Sequence, residues 1–113
     1  MASFFNLTLD TTAPAGLTLK LNNGAAYATS TAVTATIGLT DSVTTGYQMK
    51  IWGVAGAATE AEAAWATFVK SKAITLTTGD GQKTVSIKVR DDVGNETATV
   101  TAKITLDLSL IHI

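Results

Sequence analysis

One stretch of the sequence, residues 83–106, decides the fold: it reads KTVSIKVRDDVGNETATVTAKITL. Apolar and polar residues alternate along VSIKV at 85–89 and again along VTAKITL at 100–106. Successive side chains of an extended strand point to opposite faces, so each part predicts a strand with one apolar face. Residues 91–95 between them are rich in turn formers, and Gly94 can adopt the positive φ of a tight turn. The stretch therefore predicts a β-hairpin with one buried face.

The same period of two recurs outward from this hairpin. Further strands are predicted within residues 5–9, 17–21, 33–39, 47–51 and 74–76. Turn residues separate them, and most are not separated by a helix-length segment, which disfavours a parallel α/β fold. Strands with one apolar face each must bury those faces by packing two sheets together. We therefore expect an all-β fold, an immunoglobulin-like antiparallel β-sandwich of about seven strands.

One short helical turn near residues 60–66 is predicted as the exception to the strand pattern. Thr59 can serve as its N-cap, and Glu62, three residues later, can complete a capping box. Ala and Glu, which dominate this segment, favour helix. Glu60 and Glu62 complement the positive end of a helix, which explains them without a catalytic acid–base pair.

Length, charge and cysteine content limit the classes of function. The 113 residues suffice for one domain with its own core, and the absence of Cys excludes disulfides and thiolate metal sites. Eight Lys or Arg balance nine Asp or Glu, so neither nucleic acid nor a membrane is an expected partner. The single histidine, His112, lies at the very end of the chain, which leaves the usual nucleophile–base pairs without a base. We therefore expect no enzymatic activity.

Oxygen-bearing side chains at the predicted turns are candidates for calcium binding, because calcium takes roughly six to eight oxygen ligands. The candidate ligands are Asp10, Asp91, Asp92, Asn95 and Asp107. The alternative is that Asp and Asn residues form the turns and bind nothing. No other cofactor is expected.

The position of each large aromatic residue in the alternating strand pattern predicts whether it faces the core or the solvent. Trp52 has the parity opposite to Met49 and Ile51, which makes it a candidate ligand-binding residue; the alternative is burial at a strand end. Trp65 is expected to close the open end of the sandwich and bury a large area. The predicted core anchors are Tyr47, Met49, Ile51, Trp65, Val85, Ile87 and Val89.

Three segments carry a resemblance to a known family: LDTTAP at 9–14, the hairpin at 83–95, and Trp65 followed by LTTGDG at 76–81. They resemble the joint, the final hairpin and an aromatic position of the tandem Ig-like repeats found in bacterial and phage proteins. The resemblance covers nearly all of residues 10–107. It implies the sandwich fold and specifies no ligand.

This resemblance implies a non-catalytic structural module of a phage particle, such as a tail, fibre or head-decorating protein that mediates assembly or surface display. Its partners would be other virion subunits or copies of itself. The alternative is a carbohydrate- or receptor-binding adhesin domain of a bacterial surface protein, whose partner would be a host-surface glycan. Either role implies a location in the virion or outside the cell.

Both ends of the chain are expected to lie outside the Ig-like domain, which we assign to residues 11–107. Residues 108–113, LSLIHI, resemble a translated sequencing adapter and are expected to be a non-native tail. Residues 1–10 are expected to form an N-terminal strand or arm, since LTLD at 7–10 echoes ITLD at 104–107. The arm either adds a strand to its own sheet or pairs with a neighbouring protomer.

Overall fold

Eight strands form two sheets in the computed structural model, which describes residues 12–41 and 43–108. The strands are β1 (Thr18–Leu21), β2 (Tyr27–Ala28), β3 (Ala32–Gly38), β4 (Gln48–Trp52), β5 (Ala66–Thr67), β6 (Ser71–Thr75), β7 (Gly81–Arg90) and β8 (Val100–Leu106). The predicted all-β sandwich is therefore confirmed. None of the helical turns in this described part is long and apolar enough to cross a membrane.

The strand order is that of an immunoglobulin-like sandwich. A three-stranded sheet has the order β1-β3-β6, and a five-stranded sheet has the order β2-β8-β7-β4-β5. All strand pairs are antiparallel except β2 and β8, which pair in parallel. The first two strands thus belong to different sheets: β1 lies at an edge of the three-stranded sheet and β2 at an edge of the five-stranded sheet.

The core lies between the two sheets and is built from the residues that the alternation predicted to point inward. Val85, Ile87 and Val89 of β7 are fully buried, at 0% exposure. The same core cluster draws residues from both sheets, among them Leu19, Leu21, Val33, Ala35, Ile37, Met49, Ile74, Leu76, Ile104 and Leu106. Each Leu, Ile or Val buried in this way contributes about 1.5–3 kcal/mol, so the hydrophobic contact between the sheets is the main source of stability.

The turn between β7 and β8 is organised by one buried carboxylate. Asp91 is 4% exposed. Its Oδ1 accepts hydrogen bonds from the backbone amides of Val93 at 3.0 Å and Asn95 at 2.8 Å, and its Oδ2 accepts one from Asn95 Nδ2 at 2.9 Å. Gly94 has a φ of 93°, which the chain needs in order to reverse here. The turn is therefore held by its own side chains.

Strand β4 ends at a glycine that no larger residue can replace. Gly53 has a φ of 82°, and a Cβ at this position would collide with the carbonyl oxygen of Thr84 on β7. Its amide donates to the carbonyl of Ala57 at 2.8 Å, which closes a small loop after the strand.

The structure differs from the sequence prediction in its shortest elements. The two-residue strands β2 and β5 were not predicted, because two residues are too few to show a period. The helical turn is a 3-10 turn that spans only Glu60–Glu62. The sequence GDG at 79–81 is typical of a hairpin turn, but it lies in the connection from β6 of one sheet to β7 of the other. The strand predicted at residues 5–9 lies outside the described residues.

Replacing Asp91 tests the role of this turn. We expect Asp91→Ala to lower the free energy of unfolding by about 2–3 kcal/mol, since three donors lose a charged acceptor at a buried position. The matched control is Asp92→Ala, because Asp92 is exposed and its loss should cost less than about 0.5 kcal/mol. Urea denaturation of both variants measures the difference, and equal losses would contradict the assignment.

Candidate functional site

The outer face of the five-stranded sheet carries polar and aromatic side chains, whereas its inner face is apolar. Along β4 and β7, the residues that alternate with the buried ones point to the outer face. They pair across the two strands as Gln48 with Arg90, Lys50 with Lys88, and Trp52 with Ser86. This face is the first place where the predicted site residues can be located.

Trp65 lies on this outer face and not in the core, where it was expected. Its ring centroid is 4.3 Å from the guanidinium carbon of Arg90 and 4.8 Å from Lys50 Nζ, which are cation–π distances. Arg90 is held in place by Gln48, whose Oε1 accepts a hydrogen bond from Nε at 2.8 Å and another from Nη2. The reason is register: Ala66 pairs with the inward-facing Met49, so the residue before Ala66 has the outward parity.

Glu60 neutralises the lysines of the same face. Its Oε2 lies 3.2 Å from Lys88 Nζ and 3.6 Å from Lys50 Nζ. The hydrogen bond from Lys88 is the main cause that lowers the pKa of Glu60, and the positive charges of both lysines add to it. Glu62 has a different role, because its Oε1 accepts from the backbone amide of Thr59 at 3.1 Å and closes the capping box. Glu60 therefore holds this loop to the sheet, and Glu62 closes the turn within the loop.

Trp52 lies at the end of β4, with the outward parity and a half-buried side chain. It pairs with Ser86, which is itself only 9% exposed although it faces outward. Trp52 is therefore a partly exposed aromatic residue next to a hydroxyl-bearing residue. Of the other predicted core anchors, Met49, Val85, Ile87 and Val89 are buried, while Tyr47 and Ile51 are half-buried and pack against the core.

The structure does not bring the predicted calcium ligands together. Asp91, Asp92 and Asn95 lie at the turn after β7, whereas Asp107 follows Leu106, which pairs with the opposite end of β7 at Gly81. Nine strand residues at about 3.3 Å each separate the two ends by roughly 30 Å. Within residues 12–41 and 43–108, no three His, Cys, Asp or Glu side chains gather to hold a metal. Asp10 lies outside the described residues.

Tyr47 closes a hydrogen-bonded joint between the residues after β3 and the residues ahead of β1. Its hydroxyl donates to Asp41 Oδ2 at 2.7 Å, and Asp41 Oδ1 accepts from the amide of Ala15 at 3.0 Å. The Ala15 amide, followed by the Tyr47 hydroxyl, lowers the pKa of Asp41. The same bond to Asp41 is the main cause that raises the pKa of Tyr47 to about 12. The joint fixes the position of Ala15 ahead of β1.

Strand β6 forms an edge of the three-stranded sheet whose outer side is open. Hydrogen bonds from Ile37 N to Lys70 O and from Leu76 N to Thr31 O show that even-numbered β6 residues bond to β3. The backbone groups of Ser71 and Ala73 therefore point away from β3. Within the described residues nothing pairs with them, and the nearest bond is from Ala55 N to Thr75 O at 2.8 Å.

An apolar groove lies beside this edge, because β5 is too short to cover the gap between the sheets. Its volume is about 130 Å³. It is lined by Met49, Ile51, Val54, Ala64, Ala66, Lys72 and Ile74. We call the β6 backbone together with this cavity the edge groove. Sequence reasoning missed it, and the only available signal was the length of chain between β4 and β6 that carries no regular strand pattern.

The comparisons with known proteins add no relative: no family model, no curated protein and no solved structure matches this chain.

The Asp41 joint predicts a specific acid sensitivity. Because the folded-state pKa of Asp41 is lowered, its contribution to stability is present above the ordinary value of 3.8 and is lost as the pH falls through the folded value. We therefore expect the advantage of the natural chain over Asp41→Asn to shrink as the pH falls below 3.8. Thermal midpoints measured from neutral to acid pH test this. Parallel curves for the two chains would contradict it, and Tyr47→Phe, which keeps the carboxylate, is the control.

Proposed function

We propose that this chain is a non-catalytic, Ig-like structural module that assembles by pairing a sheet edge with copies of itself or with neighbouring subunits, as in a phage particle. The observation that carries the proposal is the edge groove. A strand edge with unpaired N–H and C=O groups is a template for another strand, and an adjacent apolar groove gives that strand a place to bury side chains.

The other sheet edges favour β6 as the point of contact. Strands β2 and β5, at the two edges of the five-stranded sheet, have two residues each, and β1 has four. β6 has five residues and is the longest of these four edges. Very short edge strands are a common protection against unwanted pairing. By length alone, β6 is therefore the least protected of the four edges.

The polar groups of the described part support a passive role. Glu60 and Glu62 are bound to lysines and to a backbone amide, and Asp91 is bound by its own turn. These carboxylates stabilise loops, and loops held by a rigid sandwich suit display at a surface. The resemblance of residues 9–14 and 83–95 to phage and bacterial Ig-like repeats points in the same direction.

Ala73→Pro tests the proposal at the open edge. Proline removes the Ala73 amide, which points away from β3, so the sheet itself keeps its hydrogen bonds. We expect the natural chain to form a dimer or larger assembly in light scattering, and the variant to dissociate at about tenfold higher concentration or more. Ala73→Thr keeps the amide and serves as control. A natural chain that stays monomeric, or an equally associated Ala73→Pro, would overturn the proposal.

Trp52 favours a second candidate, a glycan-binding domain of a surface adhesin. Its ring lies on the outer face of the five-stranded sheet, and a half-covered Trp can stack on a sugar while its neighbours donate hydrogen bonds.

Trp52→Ala tests this second candidate. On a glycan array we expect the natural chain to bind and Trp52→Ala to lose the signal, whereas Trp52→Phe retains part of it because an aromatic face remains. Absence of binding by the natural chain, or equal binding by all three, would remove this candidate.

A further inference from the structure

We propose that the cavity of the edge groove binds a small carboxylate with an apolar tail of about six carbon atoms, with the tail between the sheets and the carboxylate at Lys72. The inference goes beyond the function proposed above, because it concerns a small molecule and does not require the chain to assemble. It rests on the size, the lining and the charge of the cavity.

The size of the cavity sets the size of the apolar tail. Its volume is about 130 Å³, and an apolar cavity of roughly 150 Å³ in a protein core is large enough to bind benzene. Two of its lining residues, Ala64 and Ala66, are small and exposed, which leaves the space open. Met49 and Ile74, which belong to different sheets, are buried beside it. A tail of about six carbon atoms therefore fits between the two sheets.

The lining determines which part of a ligand enters the cavity. The lining side chains other than that of Lys72 carry no nitrogen or oxygen atom. A polar group placed among them would lose its hydrogen bonds to water and gain none from these side chains, which is costly. The lining therefore favours a hydrocarbon tail, with any polar group of the ligand at the rim.

Lys72 gives this rim a positive charge that no described carboxylate balances. It lies on the same inward side of β6 as the buried Ile74 but is itself exposed, so its apolar stem borders the cavity while its ammonium group remains in water. Within the described residues Lys72 forms no salt bridge. Residues 63–79 also contain Lys70 and contain no Asp or Glu.

The lysines on the outer face of the five-stranded sheet provide a contrast. Lys50 and Lys88 lie directly opposite each other, and the carboxylate of Glu60 lies 3.6 and 3.2 Å from their ammonium groups. There the domain neutralises two lysines with its own carboxylate, whereas Lys72 has no such partner in the described part. A ligand that carries both a carboxylate and an apolar tail complements the charge and the lining of the cavity together.

Methionine NMR with hexanoate as the probe tests the site. Met49 lines the cavity and is one of two methionines in the chain, so the signal of its labelled methyl group can be identified with Met49→Leu. We expect hexanoate to shift this signal in a saturable way. Lys72→Gln should raise the dissociation constant for hexanoate by about threefold or more and leave that for hexan-1-ol, which has no charge, unchanged. The matched control is Lys103→Gln, which removes a charge from an exposed position of β8.

A larger side chain in the cavity tests where the tail lies. Ala64→Leu fills the cavity from an exposed position, and we expect it to weaken the binding of hexanoate and of hexan-1-ol by about tenfold or more, because the space is occupied. Ala61→Leu, at an exposed position of the preceding 3-10 turn and outside the lining, is the control. Thermal melts check that both variants fold alike.

The outcomes separate this inference from the proposed function. No saturable shift of the Met49 signal, equal binding of hexanoate to the natural chain and to Lys72→Gln, or binding that survives Ala64→Leu would each overturn it. If the chain assembles through β6 and hexanoate does not shift Met49, the proposed function stands and this inference falls. If hexanoate binds as expected to a chain that stays monomeric, this inference stands and the proposed function falls.

Discussion

The structure depends on the contact that the inward side chains of β7 make between the two sheets. Val85, Ile87 and Val89 are fully buried, and β7 pairs with β8 on one side and β4 on the other. Because side chains alternate strictly along a strand, the burial of these three fixes the outward direction of Ser86, Lys88 and Arg90. The burial of the core residues thus places Arg90 on the outer face, where it contacts the ring of Trp65 together with Lys50.

The strands that carry the core could be predicted from the sequence, because five to ten residues are enough to show a period of two. The inward residues of β3, β7 and β8 are those that alternation selects. Strand β5 could not be predicted in this way, because it has only two residues. The outward direction of Trp65 could not be predicted either, since it follows from the pairing of Ala66 with Met49. Because this short strand was missed, the sequence prediction placed Trp65 in the core, whereas the structure places it on the outer face.

The candidate sites show a different limit, because they depend on which strands are neighbours. The hairpin predicted over residues 83–106 already places Asp91 at its turn and Asp107 at its open end, so the sequence alone argued against these two residues sharing a calcium ion. Other features could not be predicted: GDG at 79–81 is a turn sequence whether the next strand stays in the same sheet or changes sheet. The openness of β6 follows from topology alone, since any strand becomes an edge when no partner follows it.

The location of the two tryptophans has a consequence for spectroscopy. Trp52 and Trp65, the two tryptophans of the chain, lie on the outer face of the five-stranded sheet, and the buried core consists of aliphatic residues with Met49 and Phe68. Indole emission from this protein therefore reports the environment of an outer layer in which Lys50 and Arg90 contact one ring. Detachment of the loop that carries Trp65 would alter the fluorescence while the interior stayed intact, so emission and far-ultraviolet dichroism follow separate layers of the molecule.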